Sequence, residues 1–298
     1  MAQEMSNGSA PPAISSNIYI EQELRTRISG LGNHVGADIV TFIGPVYVPF
    51  DDVIRYAVEE IDPKNARLCV VLETPGGQIE TAERIVTTFR NFYIDLWFII
   101  PNFAMSAGTV LAMAGDRIFM DYYSTLGPID PQVAKGEGFV PALGYLAKFE
   151  HLINKSAEGS LTTAEMGYLV ERFDPAELYS YEQARDLSID LLKEWLVKWK
   201  FKDWTTTETT GRPVTNDMKQ QRATEIAAAL NDTARWKSHA RGLSMEVIRR
   251  DLNLKVDDFG EDPAMRDRVN AYYRLLKDYM DRRGQEVVIH TARSYRGI

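Results

Sequence analysis

Between residues 38 and 120 the hydrophobic pattern alternates between two periods. Asp38-Ile39-Val40-Thr41-Phe42-Ile43 is a short, nearly continuous apolar run closed by Gly44 and Pro45, which predicts a buried strand. Over 51–61, Val53, Ile54, Ala57 and Ile61 fall at helical spacing. The alternation then repeats: strand 67–73, a Pro-Gly-Gly turn, helix 77–90, strand 94–100, a loop, helix 106–114 and strand 117–120. Strands alternating with helices of this length predict βαβ units, a parallel sheet and right-handed crossovers. Beyond residue 140 the strand signal fades. Helical spacing covers 140–153, 162–172, 177–200, 215–230, 244–252 and 263–281, with a polar connection at 232–242. On this reading a flexible tail (1–17) precedes an α/β core (18–160), a helical region (161–282) and a basic tail (283–298) that frays. No internal repeat of fixed period is present.

The remaining bulk properties exclude more than they assign. A length of 298 residues suits one large α/β domain with extra helices, or two modest domains. The net charge of −8 disfavours nonspecific nucleic-acid binding, which needs a Lys/Arg excess on some face. The only cysteine, Cys69, sits in the apolar run Leu68-Cys69-Val70-Val71-Leu72 and reads as a small buried hydrophobe, compatible with a reducing, cytoplasmic setting. The first 16 residues lack the charged and apolar regions of a signal peptide. The stretch 96–115 carries no formal charge, but Pro101 and Asn102 interrupt it, so a strand, loop and packed helix explain it better than a membrane span. Four scattered His and one Cys offer no metal-binding spacing, and no metal or cofactor is expected. Trp195, Trp199 and Trp204 interleave with Lys198, Lys200 and Lys202. Because Leu191, Trp195 and Trp199 share one helical face, a core or subunit contact is favoured over base stacking.

Two loops, each after a buried strand, carry candidate chemistry. Glu73-Thr74-Pro75-Gly76-Gly77 enters a helix, and paired glycines there let backbone N–H groups approach a ligand or an oxyanion. The spacing lacks the lysine of a phosphate-binding Walker loop. Phe103-Ala104-Met105-Ser106-Ala107-Gly108-Thr109 places a serine at a helix start among small residues, where an N-cap is the plainer role. Adjacent parallel strands bring both loops to their carboxyl ends, where α/β folds place their sites.

Those two motifs, followed by Leu126-Gly127-Pro128-Ile129-Asp130-Pro131-Gln132 and by Trp236-Lys237-Ser238-His239, resemble the serine dehydrogenase proteinase family, distant relatives of the Clp proteolytic subunit and signal peptide peptidase A. The resemblance implies a Clp/crotonase-type α/β core of stacked ββα turns, ahead of the helical C-terminal half read from the periodicity, and hydrolysis of peptides or unfolded segments through an acyl-enzyme. It makes Ser106 the nucleophile, with the Gly77 and Ala107 N–H groups as oxyanion hole. In the Clp subunit a His follows the nucleophile at roughly the separation that here reaches Asp130, so that triad does not transfer. The family's own chain order, Ser then Asp then His, suits Ser106, Asp130 and His239. The signal-peptide-peptidase pattern offers Lys155 as a rival base, although its neighbours Ser156, Gly159 and Ser160 are not the apolar setting that would neutralise it. His151 is a third candidate. Relatives with this core form rings, so a homo-oligomer is implied. Two further readings share the fold: a crotonase-like acyl-CoA-processing enzyme that uses the same two N–H donors, and a non-catalytic oligomeric interaction protein.

Overall fold

The computed structural model describes residues 16–130, 132–135, 138–238 and 240–298. The chain opens with α1 (Ser16–Val35), β1 (Asp38–Ile43), α2 (Phe50–Glu59), β2 (Arg67–Glu73) and α3 (Ile79–Phe92). Next come β3 (Asp95–Ile99), β4 (Phe103–Ala104), α4 (Ala107–Met113), β5 (Arg117–Met120) and β6 (Thr125–Leu126). A hairpin of β7 (Gln132–Lys135) and β8 (Gly138–Pro141) leads into α5 (Ala142–Ala157), α6 (Thr163–Arg172) and α7 (Pro175–Trp195). The last elements are α8 (Asn216–Asn231), α9 (Thr233–Trp236), β9 (Leu243–Ser244), α10 (Met245–Asp251), β10 (Asp257–Asp258), α11 (Pro263–Arg283), β11 (Val288–Thr291) and β12 (Tyr295–Gly297).

The fold is α/β, and β3, β4 and α4 form a ββα turn. The main sheet runs β10-β5-β3-β2-β1-β11-β12, parallel from β10 to β1 and antiparallel for the last two strands. After β3 and β5 the chain turns into β4 and β6, which pair in a small second sheet, and β4 leads straight into α4. Register explains why the central strands read as continuous apolar runs. Val40, Val70, Phe98 and Ile118 lie side by side on one face, all fully buried. Ile39, Cys69 and Trp97 follow each other across the opposite face. The first face packs on α2, α3 and α4 and on buried residues of α7, α8 and α10. The second packs on α1 and α11 through Leu24, Ile28, Leu31, Tyr272 and Leu276. The helical region therefore shares the core of the α/β part. Only α5, α6 and the start of α7 gather round a small cluster of their own, Leu146, Leu152, Phe173 and Leu178.

Several expectations change. The segment 283–298 is no frayed tail, because β11 lies antiparallel to β1 with Val288, Ile289 and His290 fully buried. At the other end, α1 occupies a segment in which no helix was expected beyond the tail. Its apolar positions Ile20, Leu24, Ile28, Leu31 and Val35 form a narrow stripe in a polar sequence. Each fully buried aliphatic side chain of that stripe contributes roughly 1.5–3 kcal/mol. The helix expected from residue 140 begins at Ala142, behind the β7–β8 hairpin. The one expected over 177–200 ends at Trp195 in a π turn, Leu196–Lys200. Trp195 is core, Trp199 lies under the Arg90 guanidinium at 4.3 Å, and Lys202 pairs with Asp116 at 2.7 Å. Within the chain, that aromatic face packs against the core. The uncharged stretch 96–115 divides into β3, β4 and α4, and no described helix is long and apolar enough to cross a membrane. Cys69 is fully buried, which raises its thiol pKa and makes it a poor nucleophile.

His290 is the chief polar group inside this scaffold. Its Nδ1 meets the Tyr272 hydroxyl at 2.7 Å, which in turn meets Thr41 Oγ1 at 2.7 Å, while Nε2 is buried with no partner among the described residues. Burial, helped by the Arg25 charge, pushes the imidazole down to about 3. The unfolded chain therefore takes up a proton, from about pH 6.5 downward, that the folded chain refuses. Stability should fall with pH below about 6.5, by up to ~1.4 kcal/mol per pH unit for this group, and level off near the folded pKa. Urea unfolding of wild type and His290→Asn at pH 7.5 and 4.5 checks this: the stability gap between them should shrink on acidification, and parallel profiles would contradict it.

Candidate active site

The site is built where β2 and β3 run out. At the end of β2, Thr74 donates its N–H to the Phe103 carbonyl at 3.1 Å and accepts the Met105 N–H at 3.0 Å, so the two motif loops run side by side. Gly76 lies directly on the second loop. A Cβ there would stand 2.6 Å from the Met105 carbonyl oxygen and 2.8 Å from Ser106 Cβ. Gly77 (φ +154°) is pressed as closely on Val46, whose backbone bonds to Gly76 and Gln78 on either side. Neither position accepts a side chain, which is the physical reason for two consecutive glycines.

Ser106 sits between β4 and α4 at φ 53°, ψ −122°, a conformation that costs a non-glycine residue about 1–3 kcal/mol. It does not act as an N-cap: its side chain makes no capping hydrogen bond. The strained strand-to-helix turn instead presents a half-buried hydroxyl at the carboxyl end of the sheet, as nucleophile elbows do. All seven residues of α4 behind it are buried, which fixes the turn. The N–H groups of Gly77 and Ala107 have no acceptor among the described residues, whereas those of Gly76, Gln78, Gly108 and Thr109 all do. Such a pair of unused donors can stabilise an oxyanion.

Asp130 is fully buried on the loop after β6. Two sets of bonds bring that loop to the site. Thr109 Oγ1 accepts the Gly127 N–H at 2.9 Å and shares its own proton between the Ala104 and Gly127 carbonyls, at 2.8 and 3.0 Å. Ile129 donates its N–H to the Leu230 carbonyl at 3.1 Å, at the end of α8. His239 lies outside the described residues; the chain before it is tied to the end of α8 and the chain after it to β6, the strand that leads into the Asp130 loop. Trp236 donates Nε1–H to the Ala229 carbonyl at 2.6 Å, and Arg241 N–H bonds the Ser238 carbonyl at 3.2 Å. Leu243 and Ser244 then pair antiparallel with Leu126 and Thr125. The remaining base candidates lie on α5. Lys155 is held by Glu165 at 2.6 Å, inside the Thr162–Glu165 capping box of α6. That contact, with help from Thr162, pulls the Glu165 carboxyl down to about 2. His151 is exposed. Among the described residues no cluster of His, Cys, Asp and Glu could hold a metal ion. Thr109 was missed in the sequence, where it reads as an ordinary residue of a small-residue helix; its distance of three from Ser106 was the only signal.

Residues 35–219 match the family model described as ClpP-like SDH-type serine proteinase. Among curated proteins, the uncharacterized protein MJ1495 of Methanocaldococcus jannaschii is 27% identical over 172 residues, covering 56% of this chain and 56% of that protein. A second uncharacterized protein of that organism, MJ0137, is 37% identical over 73 residues, 24% of this chain and 26% of its own length. The chain thus spans about half the length of the first relative and about a quarter of the second. Two solved mutant forms of the 1510-N membrane-bound stomatin-specific protease are also similar. One is 15% identical with a TM-score of 0.41, covering 74% of this chain and 76% of that one. The other, in complex with a substrate peptide, is 17% identical with a TM-score of 0.42, covering 74% and 72%.

The strain at Ser106 is measurable. Ser106→Ala keeps a Cβ at positive φ, whereas Ser106→Gly removes it, so the Gly variant should be more stable than the Ala variant by about 1 kcal/mol. Urea unfolding of the two proteins decides; an Ala variant as stable as the Gly variant would mean that the turn is unstrained.

Proposed function

This chain belongs to the ClpP-like SDH-type serine proteinase family, and from that premise we propose that it is a serine peptidase with Ser106 as nucleophile. The observation that carries the reading is the strained, uncapped Ser106 beside two N–H groups, Gly77 and Ala107, that have no acceptor among the described residues. A fold in need of only a helix start would use the serine to cap it.

In the proposed reaction Ser106 Oγ attacks the carbonyl carbon of an extended peptide while its proton passes to the His239 imidazole. The carbonyl oxygen gains the negative charge and is received by the Gly77 and Ala107 N–H groups. As the tetrahedral intermediate collapses, the imidazolium returns the proton to the departing amine nitrogen and an ester on Ser106 remains. Water, deprotonated by the same imidazole, then releases the acid. Asp130 orients the imidazole and balances its charge. The pairing of β9 with β6 just after residue 239, and the bond of Trp236 to α8, whose end also accepts the Ile129 N–H, support this assignment over Lys155, whose ammonium already faces the Glu165 carboxylate.

A fluorophosphonate probe should label wild type at Ser106 and leave Ser106→Ala unlabelled, read by peptide mass spectrometry. The kcat/KM for peptide cleavage should rise with pH through the range of an ordinary imidazole, near 6.5. His239→Ala should lose several orders of magnitude and Lys155→Ala little. A crippled Lys155→Ala beside an active His239→Ala would reverse the assignment of the base.

A further inference from the structure

The strand that delivers the oxyanion loop ends in an acid that the reaction above does not use. On the helix-covered face of β2 shared with Cys69 and Val71, both fully buried and apolar, the next position outward is Glu73, 5% exposed. Burying a carboxylate is costly unless it is partnered, and an apolar side chain would fill this place without that cost. Glu73 is fully partnered, and its partners come from two other parts of the chain. Tyr273 donates its hydroxyl to Oε2, Lys277 Nζ stands 3.2 Å from Oε1, and Asn102 Nδ2 lies 3.5 Å from Oε2. Tyr273 and Lys277 are one turn apart on α11, and Asn102 immediately precedes β4. Burial, and then the hydrogen bond to Glu73, raises the Tyr273 pKa and keeps its proton in the contact.

Glu73 stands one residue before Thr74, whose backbone joins the two motif loops, and four before Gly77. Asn102 stands four residues before Ser106 and accepts the Thr125 N–H on its carbonyl at 2.8 Å, linking the contact to β6 as well. We infer that Glu73, clamped by Tyr273 and Lys277, is a positioning residue: it locks the oxyanion loop and the nucleophile loop to α11, so that the C-terminal helix sets the geometry at Ser106. The inference rests on the serine-peptidase reading. It differs from a purely structural role, because the clamp fixes two loop ends against each other and the core beneath them is apolar without it.

The test is the second-order rate of fluorophosphonate labelling of the full chain, with thermal unfolding and peptide kinetics on the same samples. Glu73→Gln keeps the shape and removes the charge, and Tyr273→Phe removes one hydroxyl from the helix side. Each should slow labelling and kcat by on the order of 10- to 100-fold, the size of effect expected from sub-ångström misplacement of reacting groups, while KM stays within about twofold. Their combination should be no slower than the worse single variant, because both break one contact. Should Glu73→Gln fail to unfold cooperatively, Tyr273→Phe decides alone. Wild-type labelling rates in the folded variants overturn the inference and leave the serine reading standing. An unlabelled wild type overturns both.

Discussion

Two backbone hydrogen bonds, Thr74 N–H to Phe103 and Met105 N–H to Thr74, hold the structure's chemistry together. Without them β2 and β3 would end in separate loops. With them, the Pro-Gly-Gly turn is laid on the turn before α4 at a separation that only glycine backbone permits. The closeness has a consequence for Ser106. Hemmed in by Gly76 on one side and by a wholly buried helix on the other, it is held at a positive φ that an isolated chain would leave. Strain of about 1–3 kcal/mol persists only where the surroundings over-determine it, and the fully buried row Val40, Val70, Phe98 and Ile118 supplies that rigidity below the loops.

The same economy brings in the rest of the site. The second sheet has three strands of two residues each, β4, β6 and β9, too short to be a folding unit. Their service is to convert sequence separation into proximity: β4 ends two residues before Ser106, β6 four before Asp130, and β9 begins four after residue 239. Because β9 runs antiparallel to β6, the chain that enters β9 arrives at the end of β6 from which Asp130 departs. Thr109 adds a side-chain tie between the helix that follows Ser106 and that departure point.

Much of this was legible in the sequence where burial is two-sided. Strands β1, β2 and β3 read correctly because parallel strands covered on both faces are apolar throughout. The loops between them were visible because glycine and proline have few other uses there. What the residues left hidden follows from the same physics. The apolar stripe of α1 is narrow and its remaining face polar, so periodicity in that segment is weak. The strand β11 is four residues long and contains a histidine and a threonine, which lie buried where β11 pairs with β1 at the other end of the chain. The approach of the chain around residue 239 to Asp130 depends on a two-residue strand, below what any pattern resolves. The partners of Glu73, Tyr273 and Lys277, lie 200 and 204 residues further along the chain, beyond any local pattern.

The central claim is that Ser106, Gly77 and Ala107 form one acyl-transfer site. A crystal structure of the chain covalently modified by a fluorophosphonate tests it most directly, because the phosphonyl group copies the tetrahedral intermediate. The account predicts phosphorus bonded to Ser106 Oγ, with the phosphonyl oxygen within hydrogen-bonding distance, about 2.7–3.1 Å, of both the Gly77 and the Ala107 nitrogen. An adduct on another residue, or a phosphonyl oxygen turned away from both nitrogens, would contradict it.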